Sequence, residues 1–170
     1  MLCVIIMDEI RNYSMNQFNE FTIKELAGIT DIQLLILKGH IIVEYTLNCY
    51  LESISKSEDP DFFTETFSFA NKVKIAKHFG QLGDDENLIK ELTLLNKLRN
   101  DIAHSLNYNK KHLDELFGEV RKKTKNTSFT NSPLTEIERT RYAVAFISGA
   151  TFGAYKFHTD KKDLDNFLGE

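Results

Sequence analysis

A guanidinium, an amide and an imidazole stand close together in the segment from Arg99 to His104, which has the sequence RNDIAH. An imidazole exchanges protons near neutral pH, and a guanidinium can hold two phosphoryl oxygens at once. RNA supplies its own nucleophile, the 2′-hydroxyl group, so a proton-transfer group and a positive charge are enough to cleave it. Asn100 can hold the imidazole or a phosphate oxygen in place. These residue types suit RNA cleavage without a metal ion.

The segment lies in a stretch with the hydrophobic period of an amphipathic helix, which we expect from about Glu86 to Leu106. At about 100° per residue, Arg99 falls within the apolar stripe of that helix. The stripe consists of Leu88, Leu92, Leu95, Ile102 and Leu106. Asn100 and His104 are four residues apart and share a neighbouring face. We therefore predict that all three polar groups line one edge of the buried side.

A structural role explains the same residues. A partly buried Arg99 can lay its aliphatic stem over apolar surface or pair with a carboxylate such as Glu44, and His104 can be an ordinary surface residue. His40 and Glu44, four residues apart, have a spacing found in metal sites and equally in polar pairs at the border of a helix. The sequence leaves these alternatives open.

Length and composition favour one helical domain. The chain has 170 residues, of which 42% are hydrophobic, enough for one domain with a substantial core. Only 2 prolines and 8 glycines, with few alternating apolar runs, favour helices over a sheet. We predict an all-α fold, a single-domain antiparallel bundle of about five to six helices. Residues 13–170 form the domain, and residues 1–12 form an N-terminal extension in which Met7 is an alternative start.

Several other classes of protein are disfavoured. Cys3 and Cys49 stand in apolar surroundings without CxxC or His-rich spacing, so neither a metal site nor a disulfide scaffold is expected. The first seven residues lack the features of a secretory signal, and the uncharged stretch at 142–155 is short for a membrane span. We expect a cytoplasmic protein with no membrane partner, no metal ion and no cofactor.

Capping and turn residues predict where the other helices lie. The expected positions are between Ser14 and Gly28, from Asp31 to about Ser55, a short helix within 62–79, about 110–123, and a long final helix with Pro133 in its first turn. Gly39 lies on the apolar stripe of the second helix, which predicts the close approach of another helix. Small residues at 149, 150, 153 and 154 indicate either tight internal packing or a dimer seam.

Positive charge is concentrated at one place. The net charge of −4 argues against broad electrostatic binding to nucleic acid, so RNA must be met by a local patch. The densest patch is Arg121, Lys122, Lys123 and Lys125. These cations can complement the negative end of a helix dipole or contact an RNA backbone.

The order of these features resembles the HEPN superfamily. Residues 94–105, LLNKLRNDIAHS, resemble its signature of hydrophobic residues followed by RN and then AH. The flanking segments FANKV at 69–73, HFG at 78–80 and RYAV at 141–144 are similar to the branch that includes the mannitol operon repressor family. The resemblance covers most of residues 15–158.

This resemblance implies a metal-independent endoribonuclease that works as a homodimer, with two motifs facing each other across a cleft. Arg99, Asn100 and His104 occupy the motif positions, and a second copy completes the site because one imidazole cannot easily serve both the attacking and the leaving oxygen. A toxin or phage-defence effector with an antitoxin or regulatory protein fits such an activity. Leu106 replaces the tyrosine of one toxin subgroup. The repressor-like branch implies the alternative, a non-catalytic regulatory or protein-interaction module.

Overall fold

The fold is all-helical over the residues that the computed structural model describes, namely 9–55, 62–63, 67–80, 82, 86–124 and 134–168. This confirms the predicted all-α bundle. The helices are α1 (Met15–Ala27), α2 (Ile32–Ile54), α3 (Phe69–Phe79), α4 (Glu86–Ser105), α5 (Lys110–Thr124) and α6 (Glu136–Leu168). No helix in these ranges combines the length and the apolar character needed to cross a membrane.

Local capping chemistry sets the starts of α1 and α2. The hydroxyl of Ser14 accepts a hydrogen bond from the backbone N–H of Gln17, whose side-chain oxygen accepts one from the backbone N–H of Ser14 at 2.9 Å. The carboxylate of Asp31 accepts a bond from the N–H of Leu34 at 2.7 Å. These side chains satisfy N–H groups that have no partner within the helix, as predicted for both positions.

A capping box also sets the start of the final helix. Thr135 caps α6, and its backbone N–H donates to Glu138 Oε2 at 2.7 Å, while the N–H of Glu138 donates to Thr135 Oγ1 at 3.4 Å. This reciprocal pair places the first helical residue at Glu136. The predicted position of Pro133 lies outside the described residues.

The core is built around the contact between α2 and α6. A Cβ atom added to Gly39 would lie 2.2 Å from Val144 Cγ1, far closer than two carbon atoms can approach. Val43 and Ile147 are fully buried in the same core. The close approach predicted at Gly39 is confirmed, and α6 is the partner helix.

The small residues of α6 are covered by α1 of the same chain. The Cβ position of Gly149 lies 3.4 Å from Asn19 Oδ1, and that of Gly153 lies 3.8 Å from Met15 Cε. Beside them the rings of Phe18 and Phe152 stack with their centroids 4.1 Å apart. Of the two alternatives for this stretch, the structure therefore shows internal packing.

The segment before α1 takes part in the fold. Ile10 is 1% exposed and belongs to the core, and Arg11 Nη2 lies 2.8 Å from Glu52 Oε2 of α2. The predicted N-terminal extension at residues 1–12 thus includes two residues that contact the bundle. Residues 1–8 lie outside the described part.

Candidate functional site

The helix that carries the motif is buried over a wider arc than the sequence suggests. Its buried positions among residues 88–105 are Leu88, Glu91, Leu92, Leu94, Leu95, Leu98 and Ile102. Because α5 packs against α4, the buried arc is shifted toward Leu94 and Leu98, and its centre lies about 60° from Arg99. The side chain of Arg99 is exposed. The prediction that Arg99 lies on the buried side is therefore wrong.

The end of the predicted stripe also departs from the expectation. Leu106 is 82% exposed and has a φ of 55°, because α4 ends at Ser105 and the chain turns. A positive φ ends the regular progression of side chains around the helix. Leu106 therefore contributes nothing to the buried face.

Arg99 contacts no carboxylate among the described residues. Its Nη1 donates a hydrogen bond to Asn100 Oδ1 at 3.2 Å, and within the described residues it forms no ion pair. Glu44, named above as a structural partner, instead contacts Lys72, whose Nζ lies 2.7 Å from Glu44 Oε1. The alternative in which Arg99 pairs with Glu44 is therefore wrong.

His104 lies in the last turn of α4 and is also exposed. In the part of the chain that the structure describes, its ring forms no hydrogen bond and no ion pair. Arg99 and His104 leave the helix about 140° apart and are separated by about 7.5 Å along its axis, with the half-buried Asn100 between them. In one copy of the chain, the guanidinium and the imidazole are therefore both exposed, but they point in different directions from α4.

Asp101, next to the motif residues, belongs to the framework. Its Oδ2 lies 2.8 Å from His112 Nδ1 of α5 and accepts a bond from the backbone N–H of Asn109 at 3.2 Å. Ser105 Oγ donates to the carbonyl of Asp101 at 2.6 Å. These bonds fix the C-terminal end of α4 and the turn after it, and so hold His104 in position.

A buried histidine of α2 interacts with two residues of α4, Asn96 and Arg99. His40 is 4% exposed and packs against the ring of Phe69, with centroids 4.3 Å apart. Burial lowers the pKa of His40, Glu44 and the hydrogen bond with Asn96 oppose the shift, and the charges of Arg99 and Lys72 add to it. The imidazole is therefore neutral near pH 7. The sequence gives no sign of this contact, because it depends on how α2 packs against α4.

His40 and Glu44 form a polar pair. His40 Nδ1 lies 3.8 Å from Glu44 Oε2, and Lys72 occupies the other carboxylate oxygen. Within the described ranges no three His, Cys, Asp or Glu side chains are grouped so that they could hold a metal ion. The spacing of four residues thus reflects a pair at the helix border.

The basic patch lies far from the motif. Arg121 and Lys122 are exposed, whereas Lys123 Nζ lies 3.5 Å from Glu91 Oε2, a carboxylate with 0% exposure. Glu91 precedes His104 by thirteen residues of α4, which corresponds to about 20 Å. Lys125 lies outside the described residues. The structure places Arg99, Asn100 and His104 in the last two turns of α4, spread over about 140° around the helix, and does not bring the basic patch to them.

No protein-family model, no curated protein and no solved structure matches this chain. The resemblance to the HEPN superfamily is therefore a prediction carried by residues 94–105 and their flanking segments.

Proposed function

We propose that this protein is a metal-independent endoribonuclease of the HEPN type. One observation carries the proposal: Arg99 and His104 are both open to solvent on the same helix, and neither contacts a carboxylate within the described residues. Nearby charges that serve the fold are paired, as Lys72 is with Glu44 and Lys123 with Glu91. An exposed guanidinium and an exposed imidazole are available to a phosphodiester.

The reaction needs one proton removed and one delivered. A neutral His104 takes the proton of the 2′-hydroxyl as the 2′-oxygen forms a bond to phosphorus. The bond from phosphorus to the 5′-oxygen breaks, and that oxygen receives a proton from an imidazolium. Arg99 binds the non-bridging oxygens as their negative charge grows, and its bond to Asn100 restrains the guanidinium. The products are a 2′,3′-cyclic phosphate and a 5′-hydroxyl.

The geometry of one copy supports a homodimer as the active form. The attacking and leaving oxygens lie on opposite sides of the phosphorus, and one imidazole reaches only one of them. Because Arg99 and His104 diverge around α4, a second copy related by a two-fold axis supplies the same groups from the other side of the phosphate. In this arrangement His104 of one copy acts as the base and the same residue of the second copy acts as the acid.

A cleavage assay with a matched histidine control tests the activity. RNA is incubated with wild type, His104→Ala, Arg99→Ala and His78→Ala in the presence of EDTA. His78 is an exposed histidine in the last turn of α3, so its loss matches the chemical change at His104. We expect a loss of at least about 100-fold for His104→Ala and none for His78→Ala. Equal cleavage by wild type and His104→Ala contradicts the proposal.

The biological role we propose is that of a toxin or phage-defence effector, held in check by an antitoxin or a regulatory protein. Unspecific loss of RNA stops growth, so induced expression of wild type is expected to arrest cells. Arrest by His104→Ala to the same degree as by wild type contradicts this role.

The second candidate is a non-catalytic regulatory or protein-interaction module, as in the mannitol repressor-like branch. Leu34 and Ile41 of α2 favour it, because each is 54% exposed and they lie seven residues apart on one helix face. If this candidate is correct, purified protein cuts no RNA, and substitution of Ile41 by Glu weakens self-association or partner binding. Cleavage that depends on His104 excludes it.

A further inference from the structure

A groove between α3 and α4 opens one turn before the motif. Its volume is about 170 Å³. Phe69 and Val73 of α3, both buried, and the half-buried Ile89 of α4 supply its apolar lining. Lys74 and Lys77, both exposed, add two positive charges from α3. The groove thus joins an apolar surface to a pair of cations.

The groove leads directly to the motif. Asn96, which lines it, is followed at intervals of four residues by Asn100 and His104, so the three side chains follow one line along α4. The distance along the helix axis is about 6 Å from Asn96 to Asn100 and about 12 Å from Asn96 to His104. A chain molecule that leaves the groove along α4 would therefore reach Asn100 first and His104 one turn later.

The charges of the two lysines that line the groove are available to a ligand. Neither Lys74 nor Lys77 forms a hydrogen bond or an ion pair within the described residues. By contrast, Lys72 on the same helix is tied to Glu44, and Lys122 of the basic patch lies 2.7 Å from Glu119. Lys74 and Lys77 therefore supply free positive charge from α3 at the groove itself, in addition to the exposed Lys97 of α4. Arg121 and Lys122 of α5 lie near the other end of α4, about 20 Å from His104.

We propose that this groove binds single-stranded RNA and guides it to the motif. This inference rests on the proposed function and names its substrate class. One unpaired base lies against Phe69 and Val73, while the neighbouring phosphates contact Lys74 and Lys77. The amide of Asn96 interacts on one side with the buried His40, and its remaining hydrogen-bonding capacity is available to the edge of the base. A base in a duplex is stacked on both faces and cannot enter, so single strands are selected.

Binding is measured in the His104→Ala background, where the RNA stays intact. The probe is a fluorescent oligouridylate, titrated at several salt concentrations and followed by anisotropy. Replacing Lys74 and Lys77 by Ala is expected to weaken binding and to lower the salt slope by about 1.4, because each phosphate contact on a single strand contributes about 0.7. The matched double variant, Arg121→Ala with Lys122→Ala, removes the same charge and is expected to leave both quantities unchanged.

A third variant distinguishes the contribution of base binding from that of phosphate binding. Asn96→Ala is expected to weaken binding at every salt concentration and to leave the slope unchanged, because an amide replaces no counterion. The conservative pair Lys74→Gln with Lys77→Gln keeps side-chain length and tests charge alone, and helix content by circular dichroism checks that each variant is folded. A duplex of the same length is expected to bind more weakly than the single strand.

Unchanged binding and salt slope when Lys74 and Lys77 are replaced would contradict RNA binding in the groove, and so would an equal loss in the Arg121 and Lys122 variant. Duplex binding as tight as that of the single strand also overturns it. The proposed function fails separately. Wild type that binds oligouridylate through Lys74 and Lys77 but leaves RNA uncut contradicts the nuclease and supports the groove. If cleavage depends on His104 but is unchanged when Lys74 and Lys77 are replaced, the proposed RNA binding in the groove is contradicted and the proposed nuclease activity is not.

Discussion

The two halves of α4 use their polar residues in opposite ways. In the first half Glu91 is fully buried and lies 3.5 Å from Lys123 of α5. In the second half Arg99 and His104 point into solvent, and neither contacts a carboxylate within the described residues. A buried charge needs a partner, whereas an exposed one does not. Glu91 therefore serves the fold, as Asp101 does through its contact with His112, whereas Arg99 and His104 are left free for function.

Removing Glu91 gives the largest expected loss of stability. The variant Glu91→Ala empties a buried site and removes the carboxylate that lies 3.5 Å from the amine of Lys123, a side chain that is only 15% exposed. We expect the free energy of unfolding to fall by about 3 kcal/mol in urea denaturation. Arg99→Ala and His104→Ala, on the exposed half, are expected to change it by less than about 0.5 kcal/mol. A loss at Arg99 as large as that at Glu91 contradicts this difference between the two residues.

Two glycines, one tightly packed and one open, are also expected to differ in their effect on stability, by smaller amounts. Gly39→Ala pushes a Cβ atom into Val144, so we expect a loss of about 1–3 kcal/mol in thermal or urea denaturation. Gly118 of α5 has nothing within 4 Å of its Cβ position, so Gly118→Ala is expected to gain about 0.5–1 kcal/mol from the better helix propensity of alanine. Adding Val144→Ala is expected to recover part of the loss at Gly39. If Val144→Ala recovers no stability, the clash with Val144 is not the cause of the loss in Gly39→Ala.

The buried His40 is expected to make the stability of the protein depend on pH in the acid range. Burial lowers the pKa of His40, so the unfolded chain binds a proton more readily than the folded one. Stability therefore falls as the pH drops below about 6.5, the ordinary pKa of histidine, by at most about 1.4 kcal/mol per pH unit. His40→Phe is expected to flatten this dependence between pH 7 and pH 5. An unchanged profile in His40→Phe contradicts the assignment of this dependence to the buried imidazole.

Local features of this fold were predictable from sequence, and features set by packing were not. Ser14 and Asp31 cap their helices because their side chains bond N–H groups three residues away, which the sequence alone reveals. Gly39 marked a close contact, although only the structure identifies Val144 as its neighbour. The capping box at Thr135 and Glu138 has a clear sequence pattern that would have located the start of α6.

The candidate site was predictable only in part. The motif places Arg99, Asn100 and His104 on one helix, but the exposure of Arg99 depends on α5, which shifts the buried arc of α4. Lys74 and Lys77 give no signal in the sequence, because their position beside Asn96 follows from the packing of α3 against α4. The interval of four residues from Asn96 through Asn100 to His104 is the pattern that would have extended the site.

The central claim is that the exposed edge of α4 cleaves RNA through the 2′-hydroxyl. The most direct test is an analysis of the ends left on RNA after incubation with purified protein in EDTA. The account predicts 2′,3′-cyclic phosphate and 5′-hydroxyl ends with wild type and with His78→Ala, and intact RNA with His104→Ala. Intact RNA with wild type, at concentrations where the protein is a dimer, would contradict it.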